Sequence, residues 1–211
     1  RGRAGRVAEG ICYRHWTKGE EGGLAAFPPA EIEAADLTGL ALELALWGGD
    51  VPFLTAPNPG AMAEAKALLE GLGALEGGRI TAHGRVLAAL PLHPRLAHML
   101  AVAGPQAATL AALMAERDPL KGAPPDLALR LKAITDLRGY EADHPWPANR
   151  PVLERIRTEA KRLTRALLTG PAQAAPQPLS LGQMAALAYP DRIGLRRKGD
   201  APRWVLSGGK G

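Results

Sequence analysis

"GGRITAHGRVLAALPLHPRLAHML", Gly77 to Leu100, is the stretch on which the reading of this chain turns. It opens on a Gly-Gly turn. Arg79–Thr81 follows as a short strand, then a short helix, and after the proline-marked "PLHP" a further helix begins. Upstream, "NPGAMAEAKALLEGLGAL" reads as a helix: Asn58 suits the N-cap, Pro59 the first helical position, and Gly71 and Gly73 the end. Before that, "EIEAADLTGLALELALWGG" places Ile32, Leu37, Leu40, Leu44 and Trp47 at three- and four-residue spacing, and Gly48 and Gly49 stop the helix. Two helices followed by a short β element make a winged-helix pattern.

Downstream the chain is mostly helical. "HPRLAHMLAVAG" and "PQAATLAALMAERD" are divided at Gly104-Pro105, and "PPDLALRLKAITDL" follows. "GYEADHPWPANR" reads as a polar, Pro-rich connector. "PVLERIRTEAKRLTRALLTG" is the strongest helix, with Val152, Ile156, Leu163 and Leu167 in one stripe. "PAQAAPQPLS" reads as a linker. Ile193–Arg197 and Arg203–Leu206 then read as two strands around a Lys198-Gly199-Asp200 turn. Upstream of all these, Val7, Ile11 and Tyr13 in "RVAEGICYRHW" suggest a strand.

Composition agrees with a mainly α protein. Of 211 residues 46% are hydrophobic but only 4% aromatic, so the core must be built from Leu and Ala, which lose little freedom in a helix. The net charge of +5 suits a nucleic-acid partner. A lone cysteine, Cys12, excludes an internal disulfide and a cysteine-based zinc site, and fits a reducing cytoplasm. No apolar run is read as membrane-spanning, and no membrane partner is expected. The five histidines lack metal-ligand spacing and are read as structural or surface residues; no metal site is expected. No phosphate loop of the G-x-x-x-x-G-K-[ST] type occurs.

Two basic stretches bear on function. "RGRAGR", Arg1–Arg6, reads either as an Arg/Gly-rich arm that binds RNA or as arginines placed to reach the phosphates of a nucleotide held by a neighbouring domain. The helix at 150–168 carries Arg155, Arg162 and Arg165 away from its apolar stripe, which is either a solvated face or a phosphate-contacting one. "EADH", Glu141–His144, has the wrong order and setting for an Asp-Glu-Ala-His box.

Taken together the pieces resemble the DEAH-box RNA helicases. "RGRAGR" followed by "CYRHW" resembles the end of their last helicase motif and the strand after it, and "PLHPRLAHML" matches a P-L-x-P-R-L-A-x-M-L signature. "AERDPL" and "YPDRIGLRR" are similar to the bacterial HrpB-type branch. The resemblance implies a C-terminal fragment. Residues 1–26 would end the second RecA-like domain, 27–92 form a winged helix, 93–170 a helical ratchet bundle, and 171–211 a linker and the start of an OB-like module. It implies that Arg3 and Arg6 are arginine fingers facing the γ-phosphate, with Gly2 and Gly5 letting the backbone approach the nucleotide. ATP and Mg2+ belong to the full-length enzyme and neither is expected in the fragment, which is expected to lack ATPase activity. Partners would be the RecA-like domains of the same protein and single-stranded RNA, with DNA as an alternative. No family motif singles out the RNA-facing residues; charge alone places them at Arg155, Arg162, Arg165, Arg196 and Arg197. The rival readings are a winged-helix nucleic-acid-binding regulator with a helical interaction domain, and a helical scaffold. The first should carry a basic recognition helix, yet the helix at 59–73 has only Lys66 as a basic residue.

Overall fold

Side-chain oxygens begin most of the helices. Asn58, Thr81, Asp126, Asp136 and Ser180 each accept a hydrogen bond from a backbone N–H in the first turn that follows, groups that have no partner inside the helix. The computed structural model describes residues 5–25, 29–49, 51–168, 177–199 and 203–209. The chain divides into two compact units, Arg1–Ala35 and Asp36–Gly211.

In the first unit α1 (Lys18–Gly23) begins with a reciprocal capping box between Thr17 and Glu20, and α2 (Glu31–Ala34) is a single turn. The strand expected at Val7–Tyr13 does not form. No described segment pairs with it, and Val7, Ile11 and Tyr13 are 102%, 79% and 78% exposed. A strand without a ladder partner has nothing to satisfy its backbone or cover its apolar face.

The helix expected over Glu31–Trp47 is likewise broken. Asp36 Oδ1 accepts from Thr38 N–H at 2.7 Å and starts a new helix, α3 (Thr38–Trp47). The stripe counted from Ile32 therefore loses phase. Leu37, Thr38, Ala41 and Leu42 are buried, while Trp47, expected in the stripe, is exposed.

The second unit continues as the glycines and caps foretell. α4 (Pro59–Gly71) ends in a Schellman turn: Gly73, at φ 69°, donates to Glu70 O and Ala74 donates to Leu69 O. A hairpin follows, β1 (Leu75–Glu76) against β2 (Arg79–Ile80), with Leu75 opposite Ile80. Its turn is Gly77-Gly78 with φ of 54° and 75°, the positive pair a type I′ turn requires. Thr81 then fastens hairpin to helix. Its N–H donates to Ala74 O, its hydroxyl donates to Gly73 O at 2.7 Å, and the same oxygen accepts from Gly84 N–H to open α5 (Ala82–Ala89).

α6 (Pro94–Ala103) runs through a 3₁₀ turn at Gly104–Ala107 into α7 (Ala108–Ala115). The whole stretch, Pro94–Ala115, has 22 residues, and its most apolar 18-residue window has a mean hydropathy of 1.4, enough by length and composition alone to cross a membrane. The sequence reading missed this because Gly104-Pro105 divides it. Its most apolar window is 72% buried within the protein, as befits a core helix. α8 (Leu127–Thr135), α9 (Leu137–Asp143), α10 (Arg150–Leu168), α11 (Leu181–Ala188), β3 (Gly194–Arg196) and β4 (Trp204–Leu206) complete the chain. α10 packs on α7 and α11 packs on α6. Val152, Ile156, Leu163 and Leu167 of α10 are buried as expected, against a surface rich in small residues such as Ala108, Ala111 and Ala112.

Two further expectations are corrected. The connector at 139–150 begins inside α9, because Tyr140 is fully buried and its hydroxyl donates to Trp146 O at 3.0 Å. The linker read at 171–180 lies largely outside the described residues, and α11 after it was not foreseen; its start is the Ser180–Gln183 capping box. The two strands near the C-terminus do form, as an antiparallel pair with Arg196 opposite Trp204.

Gly84 shows how tightly the hairpin is seated. A Cβ there would stand 2.2 Å from Ala74 O and 2.8 Å from Ile80 Cγ1. Gly84→Ala should therefore lower stability by about 1–3 kcal/mol in thermal or urea unfolding. Gly71→Ala, at a helical site with nothing within 4 Å, should leave stability equal or slightly higher.

Candidate functional site

The two segments that carried the resemblance meet in space. Arg95, from "PLHPRLAHML", is buried with 9% exposure and reaches Asp191 of "YPDRIGLRR". Its Nη1 donates to Asp191 Oδ1 at 2.5 Å and to Ala188 O at 3.2 Å, and its Nη2 donates to Asp191 Oδ2 at 3.0 Å. Tyr189 lies between two cations, with the Arg95 and Arg192 guanidinium carbons each 5.0 Å from its ring centroid. The Arg95 hydrogen bonds hold the Asp191 carboxyl below its ordinary range. A second clamp repeats the pattern. Asp118 of "AERDPL" accepts from Arg130 Nε at 3.2 Å and Nη2 at 2.5 Å and from Leu120 N–H at 2.9 Å, while Arg130 Nη1 also donates to the Pro124 and Asp126 carbonyls. Both HrpB-like motifs thus hold loops to helices.

The residues expected at the nucleotide fall unevenly. Gly2 and Arg3 lie outside the described residues. Gly5 has φ 77°, a left-handed conformation that favours glycine, and Arg6 beside it is exposed.

Two of the expected nucleic-acid residues, and Arg157 beside them, are engaged within the chain. Arg155 donates to Glu116 from Nε at 3.0 Å, and Arg162 donates to Glu159 at 2.8 and 2.7 Å. Arg157 donates to Ile134 O at 2.8 and 2.6 Å. An open cleft of about 710 Å3 runs beside this face, lined by Pro91, Ala112, Ile156 and Arg155 but also by Glu116, Glu154 and Glu159. Its rim is more acidic than a basic helix suggests. Arg196 and Arg197 are exposed on the terminal hairpin. Successive strand residues point to opposite faces, so only Arg196 shares a face with its cross-strand partner Trp204. The Glu159–Arg162 spacing was visible in the sequence; Glu116 and Arg155, far apart in the chain, were not.

Among the histidines there is one pairing that spacing concealed. His83 Nε2 and His98 Nδ1 are 2.8 Å apart and their rings meet edge to face. Burial, reinforced by His83, pulls the His98 pKa down to about 4. His93 caps α6, accepting from Arg95 N–H at 3.3 Å. Among the described residues no group of three or more His, Cys, Asp or Glu side chains converges as a metal site.

The chain matches no family model. It is 33% identical over 220 residues to the ATP-dependent RNA helicase HrpB of Escherichia coli, an alignment covering the whole chain and 24% of that protein. Over 142 residues it is 34% identical to the human probable ATP-dependent RNA helicase DHX37, covering 56% of the chain and 12% of the relative. A crystal structure of Escherichia coli DEAH/RHA helicase HrpB matches 99% of the chain and 25% of its own length, with a TM-score of 0.68 and 33% identity. A second HrpB crystal structure gives 0.65 and 30%. Sequence and fold agree on a mostly helical region of a DEAH-box RNA helicase. Within that family the match is to HrpB, and the chain spans about a quarter of the length of HrpB.

Two outcomes follow from these contacts. Asp191→Ala strands the buried Arg95 and should cost about 1–3 kcal/mol, discounted because Asp191 is partly exposed; Arg95→Met added to it should recover much of the loss, as read by urea unfolding. The unfolded chain protonates His98 near 6.5, whereas the folded chain resists until about 4. The His98 contribution is therefore complete above pH 6.5 and declines as pH falls toward 4. His98→Gln should flatten the unfolding midpoint across that window.

Proposed function

We propose that the chain is the part of an ATP-dependent RNA helicase that couples ATP hydrolysis in RecA-like domains to translocation along single-stranded RNA. The observation that carries this is the match to HrpB along the whole chain in sequence and 99% of it in fold. In this reading 1–26 ends the second RecA-like domain. Residues 27–92 are the winged helix, with the Gly77-Gly78 hairpin as its wing. Residues 93–170 are the ratchet bundle and 171–211 lead into the OB-like module.

Arg6 and Arg3 reach toward the γ-phosphate, where a guanidinium opposes the charge that grows as the phosphoryl group transfers. Bound ATP and Mg2+ supply the phosphoryl chemistry. Mg2+ would be held by residues other than those described, because they bring no carboxylate cluster together. The sequence carries no phosphate loop, so the 211-residue chain alone is expected to turn over no ATP.

Arg155, Arg162 and Arg165 of α10 and Arg196 and Arg197 of the terminal hairpin contact RNA phosphates. The Glu116 and Glu159 pairs do not bar this. Exposed ion pairs contribute only about 0–1 kcal/mol, so a phosphate can displace the carboxylate. Trp204 beside Arg196 adds a surface on which a base can stack.

The test is Arg6→Ala in the enzyme that carries the RecA-like domains. RNA-stimulated ATP turnover should drop by about 10³ or more with folding unchanged. Near-normal turnover would overturn the assignment of Arg6.

A further inference from the structure

Three cations that the sequence spreads over three elements converge on one cleft. Lys66 of α4, Arg79 of β2 and Arg85 of α5 line an open depression of about 810 Å3 whose walls include Leu44, Phe53 and Met62. All three cations are exposed. Among the described residues no carboxylate lines the cleft, and none of the three cations takes part in an ion pair. Glu76, opposite Arg79 in the hairpin, makes none with it. The contrast with α10 is plain, since there Arg150, Arg155, Arg157 and Arg162 are each paired with a glutamate.

We infer that this cleft is a separate contact for single-stranded RNA, distinct from the α10 and terminal-hairpin surface. The inference rests on the reading that the chain acts on RNA. Its physical basis is charge left uncompensated by the described residues: a phosphate binding here displaces water and counterions, with no carboxylate among those residues to give up. The half-buried Phe53 ring and the aliphatic side chains line the same cleft as the cations. They can take the face of an unstacked base, which a duplex keeps inside its stack. An acidic peptide would satisfy the charges as well, but nothing else in the cleft calls for one. Read alone, α4 carries Lys66 as its sole cation; the fold brings Arg79 and Arg85 to the same cleft.

The experiment follows binding of fluorescein-labelled oligouridylate to the full 211-residue chain by anisotropy across a salt series. It uses the parent, Lys66→Ala/Arg79→Ala/Arg85→Ala, and Arg165→Ala/Arg196→Ala/Arg197→Ala. Each single-strand phosphate contact contributes about 0.7 to the log–log salt slope, so the cleft variant should flatten it by about 2 and weaken low-salt binding. Arg79→Ala alone should flatten it by about 0.7, which guards against a folding defect in the triple variant. These changes support the cleft whether or not the second triple variant also binds less. Unchanged slope and affinity in the cleft variant overturn the inference, and if the second variant is weakened the α10 reading survives. A parent that binds no RNA at low salt overturns both. A labelled Glu-rich peptide whose binding is lost in the cleft variant, with RNA binding intact, would mark a protein-docking surface and overturn the RNA assignment.

Discussion

A guanidinium buried in an apolar seam has to be matched, and the contact between α6 and α11 depends on how Arg95 is matched. Taking a charge out of water costs several kcal/mol unless its hydrogen bonds are replaced. Here two carboxylate oxygens, one backbone carbonyl and an aromatic face do that work. The match holds only while Asp191 stands just beyond the end of α11, so the position of the terminal hairpin follows from it. Gly208 N–H donates to Asp191 O at 2.9 Å, which ties the far side of that hairpin to the same residue. The Asp118–Arg130 clamp fixes the segment between α7 and α8 in the same manner.

Features carried by local chemistry were legible in the sequence. Asn58, Pro59 and Gly73 bound α4, Gly77-Gly78 turns the hairpin, and the apolar stripe of α10 faces inward. Features that depend on partners were not. Val7–Tyr13 has the composition of a strand but no described neighbour to pair with. Trp47 has the spacing of a buried residue, yet the restart of the helix at Asp36 turns it outward. Tyr140 looked like part of a polar connector because its hydroxyl acceptor, Trp146 O, lies beyond the helix end.

The candidate site divides along the same line. Residue type and motif picked out Arg6 and the cations of α10. Which cations are engaged is a property of the fold: Glu116 reaches Arg155 from the end of α7, whereas Lys66, Arg79 and Arg85 share a cleft that no carboxylate of the described residues lines. Charge counted along a sequence says how much basic surface exists; only packing says where it is left over.

If α10 contacts RNA as proposed, its glutamate partners have a kinetic consequence. A cation already holding a weak internal anion behaves like an ion-exchange resin: an incoming phosphate swaps with the carboxylate, and the carboxylate swaps back when the phosphate moves on. Neither exchange leaves a bare charge, so the barrier between successive positions stays low and the grip at any one position stays loose. For a strand that must be passed along instead of retained, Glu116 and Glu159 would act as a lubricant.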